Sequence, residues 1–253
     1  MKVKVLNNNY ELGIEAGTAA AAFIRNAISK KGAANIILAT GTSQFETLKQ
    51  LVIEKDIDWS KVTMFHLDEY IGLPETAKAS FRKYLKERFL NNVPALKAQH
   101  LINGEADPEA ECERLSSLIN ERPIDVALVG VGENGHLAFN DPPADFETER
   151  PYLVVNLDQK CRQQQLGEGW FDTLDDVPKQ AISMSVQQIM KSQVLICSVP
   201  GNRKAQAVKD CLVRRIDNRY PASILKLHPN CFYYLDNDSA SLLSPEMIEA
   251  VSI

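Results

Sequence analysis

Short runs rich in β-branched residues alternate along this chain with longer stretches of helical character, and this alternation restricts the fold more than any other feature of the sequence. The short runs cover 3–6, 35–39, 62–67, 124–129, 152–156, 194–199 and 231–235, and the helical stretches cover 11–29, 44–53, 80–89, 108–120 and 203–213. A helix between two strands returns the chain to the same end of the sheet, so the strands pair in parallel and both sheet faces gain a cover. The expected class is α/β, with a largely parallel sheet and helices on both faces. At 253 residues, 45% of them apolar, the chain can bury a continuous core. No repeat, low-complexity tract or Gly/Ser linker divides it, so residues 1–253 are expected to form a single domain.

Helix boundaries carry their own signals. Asp107 precedes Pro108, with Glu109 and Glu111 in the first turn, which predicts a capped start. Gly32 follows Lys30 and Lys31 and predicts a stop. The stretch 163–179 is the least periodic and is expected to form a lid or a surface excursion.

Charge and cysteine content exclude several classes. The 28 basic and 33 acidic residues leave a formal charge of -5, without the basic footprint of a nucleic-acid-binding protein. Cys112, Cys161, Cys197, Cys211 and Cys231 are scattered, odd in number and never spaced as CxxC, so they are expected to be buried hydrophobes in a reducing compartment. No set of His, Cys and carboxylates has zinc spacing, and no metal or cofactor is expected. No apolar run is long enough to span a bilayer, and Met1 to Val5 leads straight into Asn7-Asn8-Asn9, unlike a signal peptide. A cytoplasmic protein without membrane or nucleic-acid partners is expected.

Ligands of open α/β sheets bind beyond the carboxyl ends of the strands, and four polar clusters fall at such ends. Thr40-Gly41-Thr42-Ser43 joins a strand to a helix and offers hydroxyls and free N–H groups to an anion; an ordinary capped turn reads the same way. Asp68 and Glu69 emerge from a buried strand, where partial desolvation would make a carboxylate a stronger base toward a proton beside a carbonyl or imine; a helix-capping acidic pair is the alternative. In the segment 129–143, three glycines expose the chain, and His136 stands near enough to Asp141 for a carboxylate to orient an imidazole. Gly130, Gly132 and Gly135 mimic a dinucleotide fingerprint, but no helix follows before Pro142-Pro143. Lys204 lies at a helix start, where the macrodipole disfavours a cation unless an anion binds beside it. Of the other histidines, His66 is expected to be packed in the core, His100 to lie in a surface loop and His228 to be structural.

Leu67-Asp68-Glu69-Tyr70-Ile71-Gly72-Leu73 and Gly130-Val131-Gly132-Glu133-Asn134-Gly135-His136-Leu137-Ala138-Phe139-Asn140 resemble the two signature segments of the glucosamine-6-phosphate deaminase family, within the deaminase/6-phosphogluconolactonase superfamily. The Thr40-Gly41 turn, Val177-Pro178-Lys179, Arg203-Lys204-Ala205 and Leu227-His228-Pro229 follow in matching order, so the resemblance spans nearly the whole chain. It implies a Rossmann-like sheet and aldose-ketose isomerisation with deamination of a phosphorylated amino sugar, glucosamine 6-phosphate to fructose 6-phosphate and ammonia, without cofactor or metal. It further implies Asp68 as the base that moves a proton between C2 and C1, and His136 as the aid to ring opening. Asp141 stands where the family usually has a glutamate that orients the histidine, and Lys204 with residues 40–43 would hold the phosphate. Self-association into a homo-oligomer is common in the family.

Two positions depart from the pattern. Asn134 stands where the family usually has an aspartate two residues before the histidine; an amide hydrogen-bonds but does not ionise. Gly169 stands where the family tends to place a phosphate-binding arginine before an aromatic pair. These leave open a sugar-phosphate-binding sensor without chemistry. A 6-phosphogluconolactonase-like hydrolase is the other alternative, although lactone hydrolysis gives a C2 base at Asp68 nothing to do.

Overall fold

The structure, a computed structural model, describes residues 1–251. Its elements run β1 (Lys2–Leu6), α1 (Asn9–Lys31), β2 (Ala34–Leu38), α2 (Phe45–Ile53), β3 (Val62–His66), β4 (Asp68–Tyr70), α3 (Phe81–Arg88), β5 (Ala98–His100), α4 (Pro108–Asn120), β6 (Val126–Val129), β7 (Tyr152–Asn156), α5 (Gln159–Gly167), β8 (Gln180–Met184), α6 (Val186–Met190), β9 (Val194–Val199), α7 (Ala205–Val213), β10 (Cys231–Asp236) and α8 (Pro245–Val251). Seven strands form a wholly parallel sheet in the order β1-β10-β9-β6-β2-β3-β5. Every residue of β3, β6 and β9 is buried, as strands covered on both faces require.

Alternation along the strands divides the core in two. Ile37, Phe65, Ala127 and Leu195 face α4 and α7 through Leu115, Ile119, Val208 and Cys211. Ile36, Met64, Val126 and Ile196 face α1, α2 and α3 through Leu12, Ile24, Leu48 and Leu85. The chain thus has helices on both faces of a parallel sheet, as its sequence pattern predicts. The cap signals hold as well: Asp107 accepts from the Ala110 N–H, and Gly32 adopts φ 75° to close α1. All five cysteines are buried and unpaired. Among the described residues no helix is long and apolar enough to cross a membrane.

Several elements differ from expectation. Residues 152–156 do form a strand, but β7 belongs to a second, antiparallel sheet of order β4-β8-β7. Hydrophobic periodicity carries no strand direction, and the half-buried pattern of β7 suits this smaller sheet. β4 and β5 have three residues each, too few to show a period. Helix α5 occupies part of the stretch 163–179; its polar QKCRQQQLG sequence hides it from a pattern-based search. The helices expected from 44 and 203 open as 3-10 turns, Thr42–Gln44 and Asn202–Lys204, each aimed by a glycine at positive φ, Gly41 at 86° and Gly201 at 92°. His100 is not in a loop: it ends β5 and packs 4.7 Å from the Phe65 ring. His66 is fully buried and His228 bonds the Ser192 carbonyl at 2.7 Å, as core and structural residues should.

One residue links the sheets. The Leu67 N–H donates to the Leu38 carbonyl of the large sheet at 3.2 Å, and the Leu67 carbonyl accepts from the Met184 N–H of the small one at 2.9 Å. On the opposite face, α1 and α2 touch at backbone distance. A Cβ on Gly13 would stand 2.2 Å from the Glu46 Cβ and 2.6 Å from its carbonyl carbon. Alanine improves helix propensity by about 1 kcal/mol, whereas overpacking a rigid contact costs about 1–3 kcal/mol. Gly13→Ala is therefore expected to lower the melting temperature; an unchanged or raised value in a thermal denaturation scan would show that the helices can separate at no cost.

Candidate active site

The strand order reverses between β2 and β6: β2 leads on to β3 on one side, and β6 leads to β9 on the other. Connections diverge there, and a crevice opens at the carboxyl ends. Thr40, Gly41, Thr42, Ser43, Asp68, His136 and Lys204, all expected site residues, line this one cavity. Asn134 and Asp141 stand behind His136 instead and reach the cavity only through it.

The segment 40–43 bends around Gly41 and runs into α2, so the first N–H groups of this helical start have no acceptor within the helix. Tyr84 holds the turn by donating from Oη to the Gly41 carbonyl at 2.9 Å. Gly130, at the end of β6, lets the loops close: a Cβ there would come 2.9 Å from Ser43 Oγ. Lys204 reaches the same cavity from the turn before α7 and is 8% exposed. Its ammonium makes no hydrogen bond or ion pair among the described residues. Burial holds its pKa below the ordinary lysine value, although Glu168 and Glu133 pull the other way. A buried cation beside free N–H groups is an incomplete electrostatic arrangement, and a multiply charged anion completes it.

Asp68 and Glu69 are consecutive in β4 and so point to opposite sides. Glu69, wholly buried, accepts from the N–H groups of Tyr70, Phe81 and Arg82, from Ser80 Oγ, and from Arg82 Nε. It is the helix-capping acid. Asp68 faces the cavity near Phe81 and Phe139, whose rings stack 5.8 Å apart. Burial first, and the Glu69 charge second, push the Asp68 pKa up to about 8. Of the acidic pair, Glu69 takes the capping role, and Asp68 is the carboxyl that faces the cavity. His66, two residues earlier at the end of β3, is held neutral with its pKa at about 3 by burial and by Arg82.

His136 is 7% exposed and sits against a glycine for a steric reason: a Cβ on Gly132 would fall 2.3 Å from its ring atoms. Its Nδ1 lies 3.2 Å from Asp141 Oδ1, close but without the alignment of a hydrogen bond. Burial tends to raise the Asp141 pKa, but His136, Asn134 and the Asp158 N–H outweigh it and leave the carboxyl below its usual value. The Asn134 amide donates to Asp141 at 3.0 Å and to Asp158 at 3.3 Å, and its oxygen accepts from the His136 N–H at 3.0 Å. His136, Asp141 and Cys161 bring donor atoms within 4.8 Å of one another and are the trio here that could hold a metal. Burial raises the Cys161 pKa far above its usual value and keeps the thiol protonated, a poor ligand.

Sequence reasoning missed three polar residues of the cavity. Gln164, Gln165 and Glu168 enter from α5 and the residue after it. The Glu168 carboxylate accepts from Gln164 Nε2 at 2.8 Å and Trp170 Nε1 at 3.2 Å, and lies 4.0 Å from where a Gly41 Cβ would be. An acid thus stands at the anion cradle beside Gly169, which brings no cation. Of the stretch 163–179, Gln164, Gln165 and Glu168 line the site, and the stretch is fastened by Arg203 to the Gly167 carbonyl and by Lys78 to the Gly169 carbonyl. The signal available in the sequence was the adjacency of Glu168 to the missing arginine.

The family model for glucosamine-6-phosphate isomerases/6-phosphogluconolactonase matches residues 7–233. The chain is 36% identical over 248 residues to a glucosamine-6-phosphate deaminase of Streptococcus suis, covering 96% of this chain and all of the relative. It is 38% identical over 207 residues to one of Listeria monocytogenes, covering 81% and 86%. A solved structure described as a monomeric glucosamine-6-phosphate deaminase superposes with a TM-score of 0.88 at 33% identity, covering 96% of this chain and all of that one. A putative 6-phosphogluconolactonase of Neisseria gonorrhoeae shares the fold, with a TM-score of 0.73 at 22% identity over 93% of this chain and 99% of its own. Sequence signatures, architecture and these likenesses agree: the chain belongs to the glucosamine-6-phosphate isomerase/6-phosphogluconolactonase family, on its glucosamine-6-phosphate deaminase side.

Proposed function

We propose that this protein isomerises and deaminates a 2-amino-2-deoxyhexose 6-phosphate, glucosamine 6-phosphate in the first instance, giving the 2-ketose 6-phosphate and ammonia. The observation that carries this reading is a buried, cavity-facing carboxylate with its pKa near 8 in the same crevice as an unpaired buried lysine. The first is suited to proton transfer at carbon and the second to a phosphate. The whole chain acts as one domain.

His136, oriented by Asp141, moves the proton that opens the pyranose ring. Asp68 then removes the proton from C2 of the open-chain aldehyde, leaving an enolamine across C1 and C2. The protonated Asp68 returns that proton to C1, which makes C2 an imine. Water adds to the imine, ammonia leaves, and a ketone remains at C2. The phosphate stays on Lys204 and the 40–43 turn throughout, fixing C1 and C2 against Asp68. A lactonase reading draws on relatives whose likeness extends to the fold alone, and it leaves the raised Asp68 without a task.

Asp68→Asn is expected to lower kcat by about 10²- to 10⁴-fold, the usual contribution of a positioned base; activity within tenfold of wild type would remove Asp68 from the mechanism. The base must be ionised, so kcat/KM should rise with pH through about 8, and Asp68→Asn should lack that limb. The same shift sets a stability trend. Between the ordinary value of 3.8 and about 8, the folded protein retains a proton that the unfolded chain has lost, so stability falls as pH rises across that window. Denaturant titrations at pH 5 and pH 8.5 should show Asp68→Asn losing less stability between them than wild type.

Glu168 and the phosphate compete for one positive region. Glu168→Gln is expected to lower KM for glucosamine 6-phosphate about tenfold, in line with charge-assisted bonds of about 1.5–3 kcal/mol, while Lys204→Met raises it by at least as much. Steady-state kinetics on a panel of glucosamine, galactosamine and N-acetylated 6-phosphates would read both effects; unchanged KM in both variants would place the phosphate elsewhere.

A further inference from the structure

The amide at position 134 raises the question of how His136 is held when its neighbour carries no charge. The answer comes from another part of the fold. We propose that Asp158, at the start of α5, is a positioning residue for His136, and that Asn134 clamps it to Asp141. The proposal rests on the amino-sugar phosphate reading of the site and goes beyond it by assigning a role to a residue outside the cavity.

Four hydrogen bonds define the clamp. One Asn134 Nδ2 donates to Asp141 Oδ1 at 3.0 Å and to Asp158 Oδ2 at 3.3 Å. Asn134 Oδ1 accepts from the His136 N–H at 3.0 Å, which fixes the orientation of the amide. The Asp158 N–H donates to Asp141 Oδ2 at 2.9 Å, so both oxygens of Asp141 are held, and Oδ1, which the Asn134 amide bonds, is the one 3.2 Å from the imidazole Nδ1. The amide's two hydrogens meet two carboxylates, a match that only a neutral double donor can make. An aspartate at 134 would instead set a third carboxylate where the amide now lies 3.0 Å from that of Asp141 and 3.3 Å from that of Asp158, with like charges opposed in a poorly solvated place. Position 134 and position 158 therefore depend on each other: the amide is required because the acid at 158 is present.

Asp158 also caps α5 by accepting from the Cys161 N–H at 2.5 Å through its other oxygen. The same side chain thus ties the seat of His136 to the helix that brings Gln164 and Gln165 into the cavity. Asparagine caps helices as well as aspartate, so Asp158→Asn removes the charge and leaves the helix start intact.

The test compares wild type, Asn134→Asp, Asp158→Asn and the double variant for ammonia release from glucosamine 6-phosphate. Asp158→Asn alone is expected to lower kcat about tenfold and Asn134→Asp more, whereas adding Asp158→Asn to Asn134→Asp should recover about tenfold, a coupling of the size that directly contacting residues show. KM should stay within about threefold in all four proteins, because neither residue reaches the cradle. Effects that multiply independently, or a change in KM alone, would overturn the proposal. If wild type releases no ammonia, the functional reading falls separately. Denaturant titration of the same four proteins then judges the clamp: a destabilisation by Asn134→Asp that Asp158→Asn relieves supports it, and additive effects overturn it.

Discussion

The reversal of strand order between β2 and β6 is the constraint from which the site follows. Parallel pairing sends every carboxyl end to one edge, and the reversal parts the connecting loops there. The turn after β2, the glycine loop after β6 and the turn after β9 meet in that gap without any of them being long. A sheet of the same strands in sequential order would spread them along an edge. Chemistry at this site is thus a consequence of connectivity, and the side chains only specialise it.

Three ionisable groups are kept where solvent barely reaches them. Glu69 is buried, and its donors offset part of the burial that raises its pKa while fastening β4 to α3. Asp68 is buried next to it and has no such donors, so it holds its proton to a pH where ordinary carboxyls have none. Lys204 is the cationic counterpart, buried without a partner. Groups of this kind weaken an empty protein and become useful when a ligand supplies what is missing. Burial raises both adjacent carboxyls, and what separates them is that Glu69 has donors around it and Asp68 has none.

Most of the fold was legible because burial on both faces leaves long β-branched runs, and capped helices carry Asp, Pro and Gly at fixed places, as at Asp107 and Gly32. The small sheet was not, because β4 is too short to show a period and nothing in a strand's composition reveals its direction. Within the site, Asp68, His136, Lys204 and the 40–43 turn announced themselves by placing polar groups at strand ends. Glu168, Gln164 and Asp158 did not, since they arrive from a helix distant in sequence and their company is fixed only by tertiary packing. Asn134 was visible as a departure from the family pattern, yet its reason lies 24 residues away at Asp158.

The join at Leu67 has a consequence for the size of molecule the site accepts. Asp68 belongs to the small sheet, whereas the 40–43 turn and Lys204 hang from the large one. One residue, Leu67, is bonded to Leu38 on one side and to Met184 on the other and so joins the two. On the proposed reading of the site, it is a ruler between the phosphate end of the substrate and the end that reacts. Any shift in how the sheets meet at Leu67 therefore moves Asp68 relative to the 40–43 turn and Lys204 without either sheet being repacked.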